Sequence, residues 1–478
     1  FMETLKLIEE ILEKKKDKII DVSNKIWEFA ELPYNEYKSY GLLTKALEDE
    51  GFVIKRNVAD IPTSFTASFG NSGPMFGFLG EYDALDKLSQ VAGCSRKNPV
   101  EEGKPGHGCG HNALGAGSLG AALVMKEYLT ANKLNGTVIF FGCPAEEGAG
   151  SKQFMARAGA FDNVDFVYTW HPSTINQVQS VRSVAIMGAN FEFKGLASHA
   201  GGAPHLGRSA LDATELMSVG VNYLREHMID QARIHYAYVD AGGVSPNVVQ
   251  DRTLIKYEVR SPKVSQLKEL FERVVNVAKG AALMTDTKVE YEITMAFSDY
   301  IPNAALAEVA DEAFREVGAP KWDEKDYKLA QEFMLSYNSS TIESIKEYIK
   351  EEYGEEHLSE IWDKPLDSEV HPYENSIKYT SGSTDVGDIC YAVPTINFNV
   401  ATACIGNVGH TWQMTGQSRS SISSKGILTA VKIMALSAVK TMNNPEAIRK
   451  AKDIVLKQNG GAYQCPLPDS VKPPIGKY

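Results

Sequence analysis

The sequence predicts an α/β fold: a mostly parallel sheet covered by helices, with a smaller α+β domain inserted into it. Three observations carry that expectation. The short, almost uninterrupted apolar runs MFGFLG (75–80), TVIFFGC (137–143) and FVYTW (166–170) have the composition of strands buried on both faces. A helix-length segment, NALGAGSLGAALVMKEYL (112–129), separates the first two, giving strand, helix, strand. After about Val181 the pattern turns to alternation, as in half-exposed antiparallel strands.

Taken in order, the N-terminal FMETLKLIEEILEKKKDKIIDVSNKIWEF reads as an amphipathic, charged helix. It has no apolar h-region or cleavage site, so a signal peptide is not expected and the cytoplasm is the expected address. The three apolar strands follow. NFEFKG (190–195), RIHYAYVD (233–240) and KVEYEITMAF (288–297) alternate, TLIKYEVR (253–260) does so more loosely, and helical stretches at 209–228 and 264–284 separate them. The order β-α-β-β-α-β is ferredoxin-like. Residues 183–298 are therefore expected to form the inserted domain, and 1–182 with 299–478 the domain that receives it. A fourth apolar run, PTINFNVA (394–401), lies in the second part. The acidic segment 344–374 is expected to be solvated helix and loop, and the Pro-rich tail QCPLPDSVKPPIGKY extended or loosely docked.

A net charge of −12, with no basic run beyond Lys14–Lys16, argues against a nucleic-acid surface and favours small-molecule partners. Six cysteines without paired CxxC spacing suit a reducing compartment and no disulfide framework. No stretch approaches the roughly 20 uncharged apolar residues of a membrane helix, so no membrane partner is expected.

The stretch GHGCGHNALGAG (106–117) contains a Gly-x-Gly-x-x-Ala pattern, but VEEGKPGH precedes it, which is loop and not strand. A dinucleotide fingerprint must leave a strand and enter a helix, so the glycines are read instead as bringing Cys109 and His111 together on one side of an extended turn. Ligands of an open α/β sheet bind at the carboxyl ends of its strands. The residues there are Glu81, Tyr82 and Asp83 after the first run, Glu146 and Glu147 after the second, His171 after the third and, beyond the fourth, His410. With Cys109 and His111 they make a thiolate, imidazole and carboxylate set suited to zinc or manganese. Five ligands exceed one tetrahedral shell, whereas two metals sharing a bridging ligand use them all. One of the adjacent glutamates would bind metal and the other act as general base. The sequence favours Glu147 as ligand and Glu146 as base, though the reverse remains open.

These motifs resemble the co-catalytic metallopeptidases that include aminoacylases and folate-cleaving carboxypeptidases, within them the amidohydrolase branch. Cys109-Gly110-His111, PAEEGAG (144–150), SHAGGAPHLGRSALDA (198–213), SGSTDVGDICYAVPT (381–395) and GHTWQMTGQ (409–417) carry the resemblance over about residues 5–440. It implies a phosphorylase/hydrolase-like catalytic domain at 1–182 and 299–478, with 183–298 as lid and dimerisation domain. It implies two divalent metals, zinc or manganese, on Cys109, His111, Glu147, His171 and His410, with the Cys109 thiolate bridging and Glu146 as base. His199 of the lid is expected to reach the neighbouring subunit's site and stabilise the oxyanion, hence a homodimer. Asn247 and Arg260 stand where relatives bind a substrate carboxylate.

Two positions depart from the family pattern. Gly382-Ser383-Thr384-Asp385 replaces Gly-Ser-Glu-Asp, and Glu81-Tyr82-Asp83 replaces His-x-Asp. Asp83 and Asp385 are expected behind the ligands, and Glu81 has no assigned place. The implied activity is hydrolysis of an N-acyl amino acid, with p-aminobenzoyl-glutamate as leading substrate. The alternatives are a dipeptidase of the β-alanyl-lysine type, a general N-acyl-amino-acid deacylase, or a non-catalytic metal-binding scaffold.

Overall fold

The computed structural model describes residues 2–380 and 382–478. Phe1 and Ser381, which begin two of the stretches quoted above, lie outside the described residues.

Eleven strands form two sheets among the described residues: β1 Val53–Arg56, β2 Phe65–Phe69, β3 Met75–Gly80, β4 Thr137–Gly142, β5 Phe166–Ser173, β6 Gln177–Val178, β7 Ala185–Lys194, β8 Arg233–Asp240, β9 Arg252–Ser261, β10 Lys288–Phe297 and β11 Thr395–Ala401. The first sheet has the order β1-β2-β4-β3-β5-β11-β6. Its four central strands, the four apolar runs of the sequence, pair in parallel, and antiparallel strands flank them. The flanking β1, β2 and β6 have no counterpart in the sequence reading, because strands of two to five residues leave little pattern.

Helices Met2–Phe29, His111–Asn132 and Ser421–Met442 cover one face of this sheet. Helix His111–Asn132 lies close to the strands because Gly115 stands where a Cβ would come within 2.6 Å of the Glu81 carbonyl oxygen. Contrary to the expectation from composition, helix Ser421–Met442 is long and apolar enough to cross a membrane. It is a core helix, with 78% of its most apolar window buried.

The second sheet, order β10-β7-β9-β8 and antiparallel throughout, carries helices Ala210–Leu224 and Val264–Thr285, completing the ferredoxin-like arrangement. Its two connections to the first sheet are held side by side, for the Tyr300 amide donates to Ser183 Oγ at 2.8 Å. The acidic segment folds partly as helices Ser339–Tyr353 and Leu358–Asp363. Ile345 and Ile349 of the first are buried in a small apolar cluster with Phe333 and Cys404. The tail is docked: Leu467 is buried, and the Arg157 guanidinium donates to the carbonyls of Pro468 and Val471.

Candidate metal centre

The carboxyl ends of β3, β4, β5 and β11 all face one rim, and the chain reversals there supply the polar residues. Gly110 adopts φ +75° and caps helix His111–Asn132, so His111 opens a helix. The extended turn expected from the sequence ends at Cys109, because the left-handed glycine starts the helical turn one residue later. At the far end of the sequence His410 itself adopts φ +59°, a conformation that costs a β-substituted residue energy, and its amide donates to the Gly108 carbonyl at 2.8 Å.

Five predicted donors converge. Cys109, His111 and His171 bring one donor atom each within 4.8 Å of one another, as do Cys109, Glu147 and His410. Cys109 belongs to both groups. Cys109 Sγ lies 3.6 Å from His171 Nε2, and Glu147 Oε1 lies 3.3 Å from His410 Nε2. The nitrogens facing away from the cluster are already used. His111 Nδ1 is 2.8 Å from Asp83 Oδ1, and His171 Nδ1 is 2.8 Å from the Pro172 carbonyl, which fixes Nε2 of each ring as the available lone pair. Asp83 also accepts from the Glu147 amide at 2.8 Å, so one carboxylate orients two of the donors.

The set fits a cation on the structure's own terms. His111 Nε2, Glu147 Oε1 and Glu81 Oε2 are buried with no hydrogen-bond partner among the described residues. Uncompensated polar atoms in one place are costly unless an ion takes them. The Cys109 thiol is pushed well up by burial and by the Glu147 charge, the environment that a divalent cation reverses by binding the thiolate.

The adjacent glutamates differ. Burial opposes ionisation of Glu147, but its ion pair with His410 and the charge of His111 outweigh it and hold the carboxyl at about 2. Glu146 is pushed well above the carboxylate range by burial and by the charges of Glu81 and Glu147. Neighbouring carboxyls driven apart in this way divide into an ionised donor, Glu147, and a more basic partner, Glu146.

Three residues have no role in the sequence reading and gain one here: Glu81, Lys152 and Glu36. Glu81 groups with His111 and Glu146, its Oε2 being 3.2 Å from His111 Nε2. Lys152 is fully buried, with Nζ 2.7 Å from both Glu81 Oε1 and Asp385 Oδ1. Asp385, expected directly behind a ligand, touches none of the five donors. Its second oxygen accepts the Ser151 and Lys152 amides, so its link to the centre runs through Lys152 to Glu81. Glu36, buried and raised to about 8 chiefly by desolvation, accepts the Ala145 amide at 2.8 Å and so props the glutamate loop from behind. The one signal available in the sequence is a lysine five residues after a glutamate pair that itself follows a buried strand.

A cavity of about 560 Å³ opens from the centre, lined by Glu81, Cys109, Glu146, Glu147, His171 and His410 on one side. His199 and Asn247 are exposed on the inserted domain and do not line it; the His199 Nδ1 accepts amides from Gly201 and Gly202, leaving Nε2 outward. Arg260 of β9 donates to the hydroxyl of Ser383, which does line it.

A mostly parallel sheet presenting a converging set of metal donors, with a ferredoxin-like insertion, defines a class of metal-dependent hydrolases, and residues 77–362 match the profile of peptidase family M20/M25/M40. The chain belongs to this family and is a metal-dependent hydrolase of amide bonds. It is 38% identical to one of the two subunit types of p-aminobenzoyl-glutamate hydrolase from Escherichia coli (strain K12), over 98% of this chain and 99% of that one. It is 28% identical to the Xaa-Arg dipeptidase of Mus musculus, over 92% and 90% of the respective chains. Among solved structures, the YxeP protein of Bacillus subtilis, a dinuclear metal-binding peptidase of the M20 family, shares the fold with a TM-score of 0.59. The match is at 16% identity and covers 90% of this chain and 99% of that one.

Proposed function

We propose that this protein cleaves p-aminobenzoyl-glutamate to p-aminobenzoate and glutamate, using two divalent cations, zinc or manganese. The observation that carries the reading is the pair of donor groups sharing Cys109, with Glu146 beside them and outside both. Cys109, His111 and His171 would hold one cation and Cys109, Glu147 and His410 the other. When bound, such a pair polarises an amide carbonyl and acidifies water. Glu146 takes the proton of the attacking water and delivers it to the leaving nitrogen. The substrate is taken from the Escherichia coli relative, which aligns over nearly its whole length. A dipeptidase for basic dipeptides would want a carboxylate further into the cavity. Among the described lining residues the only carboxylates are Glu81, Glu146 and Glu147 of the centre itself.

The test is release of p-aminobenzoate by purified protein after chelation, and again after adding zinc or manganese. Metal-restored release is expected; no release from any N-acyl amino acid would end the proposal.

The inserted domain is read as lid and dimerisation surface, with Asn247 and Arg260 for the substrate carboxylate and His199 Nε2 for the oxyanion of the neighbouring subunit. Mixing His199→Ala with Glu146→Ala protomers is expected to recover part of the activity that each lacks alone. An unrescued mixture would remove His199 from the partner's site. The six free cysteines suit a reducing cytoplasm, where we place the protein.

A further inference from the structure

The cavity wall that extends sideways from the metal donors has a chemistry of its own. Strand registers set it: Asn399 lies opposite His171 on β5 and opposite Gln177 on β6, and Asn397 lies opposite Thr169, with the Gln179 amide donating to the Asn397 carbonyl at 2.9 Å. Because side chains alternate along strands, these residues share one face in two rows, His171-Asn399-Gln177 and Thr169-Asn397-Gln179. All six line the cavity, while Tyr168, Val178, Ile396 and Phe398 on the other face are core. A metal donor therefore begins a polar row that runs two strands outward, about 10 Å at the usual strand spacing.

The hydrogen bonds fix what these amides have left to offer. Gln179 Nε2 donates to the Val181 carbonyl, so its Oε1 is the acceptor for Asn397 Nδ2 at 2.5 Å, which turns Asn397 Oδ1 free. Gln177 Nε2 donates to the Pro372 carbonyl, leaving its Oε1. The half-buried Asn399 amide makes no hydrogen bond among the described residues and stands nearest the centre. The rows thus offer open carbonyl oxygens on Asn397, Gln177 and Asn399 together with amide N–H groups, a neutral surface that can both accept and donate. No lysine or arginine is among the described lining residues to receive an anion.

We infer that this face is the acyl-group subsite, and that it selects uncharged acyl groups bearing N–H donors, such as an aryl amine, through Asn399 with Asn397 and Gln177. The inference rests on the amidohydrolase reading above and gives its site a specificity. With the scissile carbonyl at the metal centre, an aromatic acyl group lies along the rows and its far substituent meets the amide oxygens. An anionic acyl group would meet the carboxylates of the centre with no lysine or arginine among the described lining residues to offset its charge. The carboxylate of the released amino acid is left to the inserted domain.

The experiment compares kcat/KM for p-aminobenzoyl-glutamate, benzoyl-glutamate and 4-carboxybenzoyl-glutamate in metal-loaded wild type and Asn399→Leu. Wild type is expected to prefer the amine over the unsubstituted ring by roughly tenfold, the scale of one hydrogen bond left unmade in a desolvated site, and to discriminate more strongly against the carboxylate. Asn399→Leu should bring the amine-to-benzoyl ratio near one. A misfolded variant lowers both rates and leaves their ratio, so the ratio is the readout. An unchanged ratio in the variant, or a 4-carboxybenzoyl substrate as good as the amine, overturns the inference. If wild type cleaves no acyl-glutamate, the function reading fails by itself. The subsite is then judged by calorimetry with p-aminobenzamide and benzamide: equal binding of the two overturns it, and a preference abolished by Asn399→Leu supports it.

Discussion

Glu146→Gln is expected to lower hydrolysis of p-aminobenzoyl-glutamate by roughly 10²–10⁴-fold, the range a positioned general base contributes, with metal content near that of wild type. The amide has the shape of the carboxyl and cannot take a proton. Glu146 lies 3.9 Å from His111 Nε2 and outside both donor groups that share Cys109, so its replacement leaves those groups intact. Glu147→Gln is the contrasting control, because it weakens the donor paired with His410 at 3.3 Å and should lose metal together with turnover. Elemental analysis of the purified variants, read beside their single-turnover rates, separates the two outcomes. Turnover within tenfold of wild type, or metal lost in Glu146→Gln, would remove Glu146 from the role of base.

Lys152→Met should destabilise the protein by about 3–5 kcal/mol, the cost of deleting one partner of a buried ion pair. Lys152 is inaccessible and holds Glu81 on one side and Asp385 on the other, each at 2.7 Å. Without it Glu81 loses the cation that chiefly offsets its burial, beside Glu146 and its raised carboxyl. Asp385 keeps only its two backbone donors. Adding Glu81→Gln and Asp385→Asn to Lys152→Met should recover part of the loss, since the stranded charges go with the lysine. Denaturant midpoints of the three proteins, with metal present throughout, decide it. A single variant within 1 kcal/mol of wild type would show that the buried triad contributes little to stability.

The parts of the molecule legible in the sequence are those whose signal is local. Strands β3, β4, β5 and β11 are continuous apolar runs because both of their faces are covered, and the rule that function gathers at their carboxyl ends leads to Glu147, His171 and His410, while Cys109 and His111 stand out by their glycine-rich stretch. The ferredoxin-like insertion is legible for the same reason, since half-exposed strands advertise their period. Lys152 is not: lysine is ordinarily a surface residue, and what buries it is an aspartate 233 positions away. Glu36 props a loop 109 residues further on, and nothing near either residue marks the pairing. Asp385 reads from its motif as one residue closer to the metal than it is, because the motif tells of a carboxylate but not of the lysine between. The amide rows also depend on register, since Asn397, Asn399, Gln177 and Gln179 become one surface only once β5, β11 and β6 are aligned.

The donors of the centre are scattered along the chain from Glu81 to His410, with the whole inserted domain lying between His171 and His410. No short stretch of the polypeptide carries the site, so a cation has nothing comparable to bind in the unfolded chain. Its binding free energy is then folding free energy: once the cation is in excess, each tenfold rise over its dissociation constant adds about 1.4 kcal/mol to stability. The metal is in this sense a buffer for the fold as much as a reagent for the amide, and the durability of the protein follows the supply of the ion it works with.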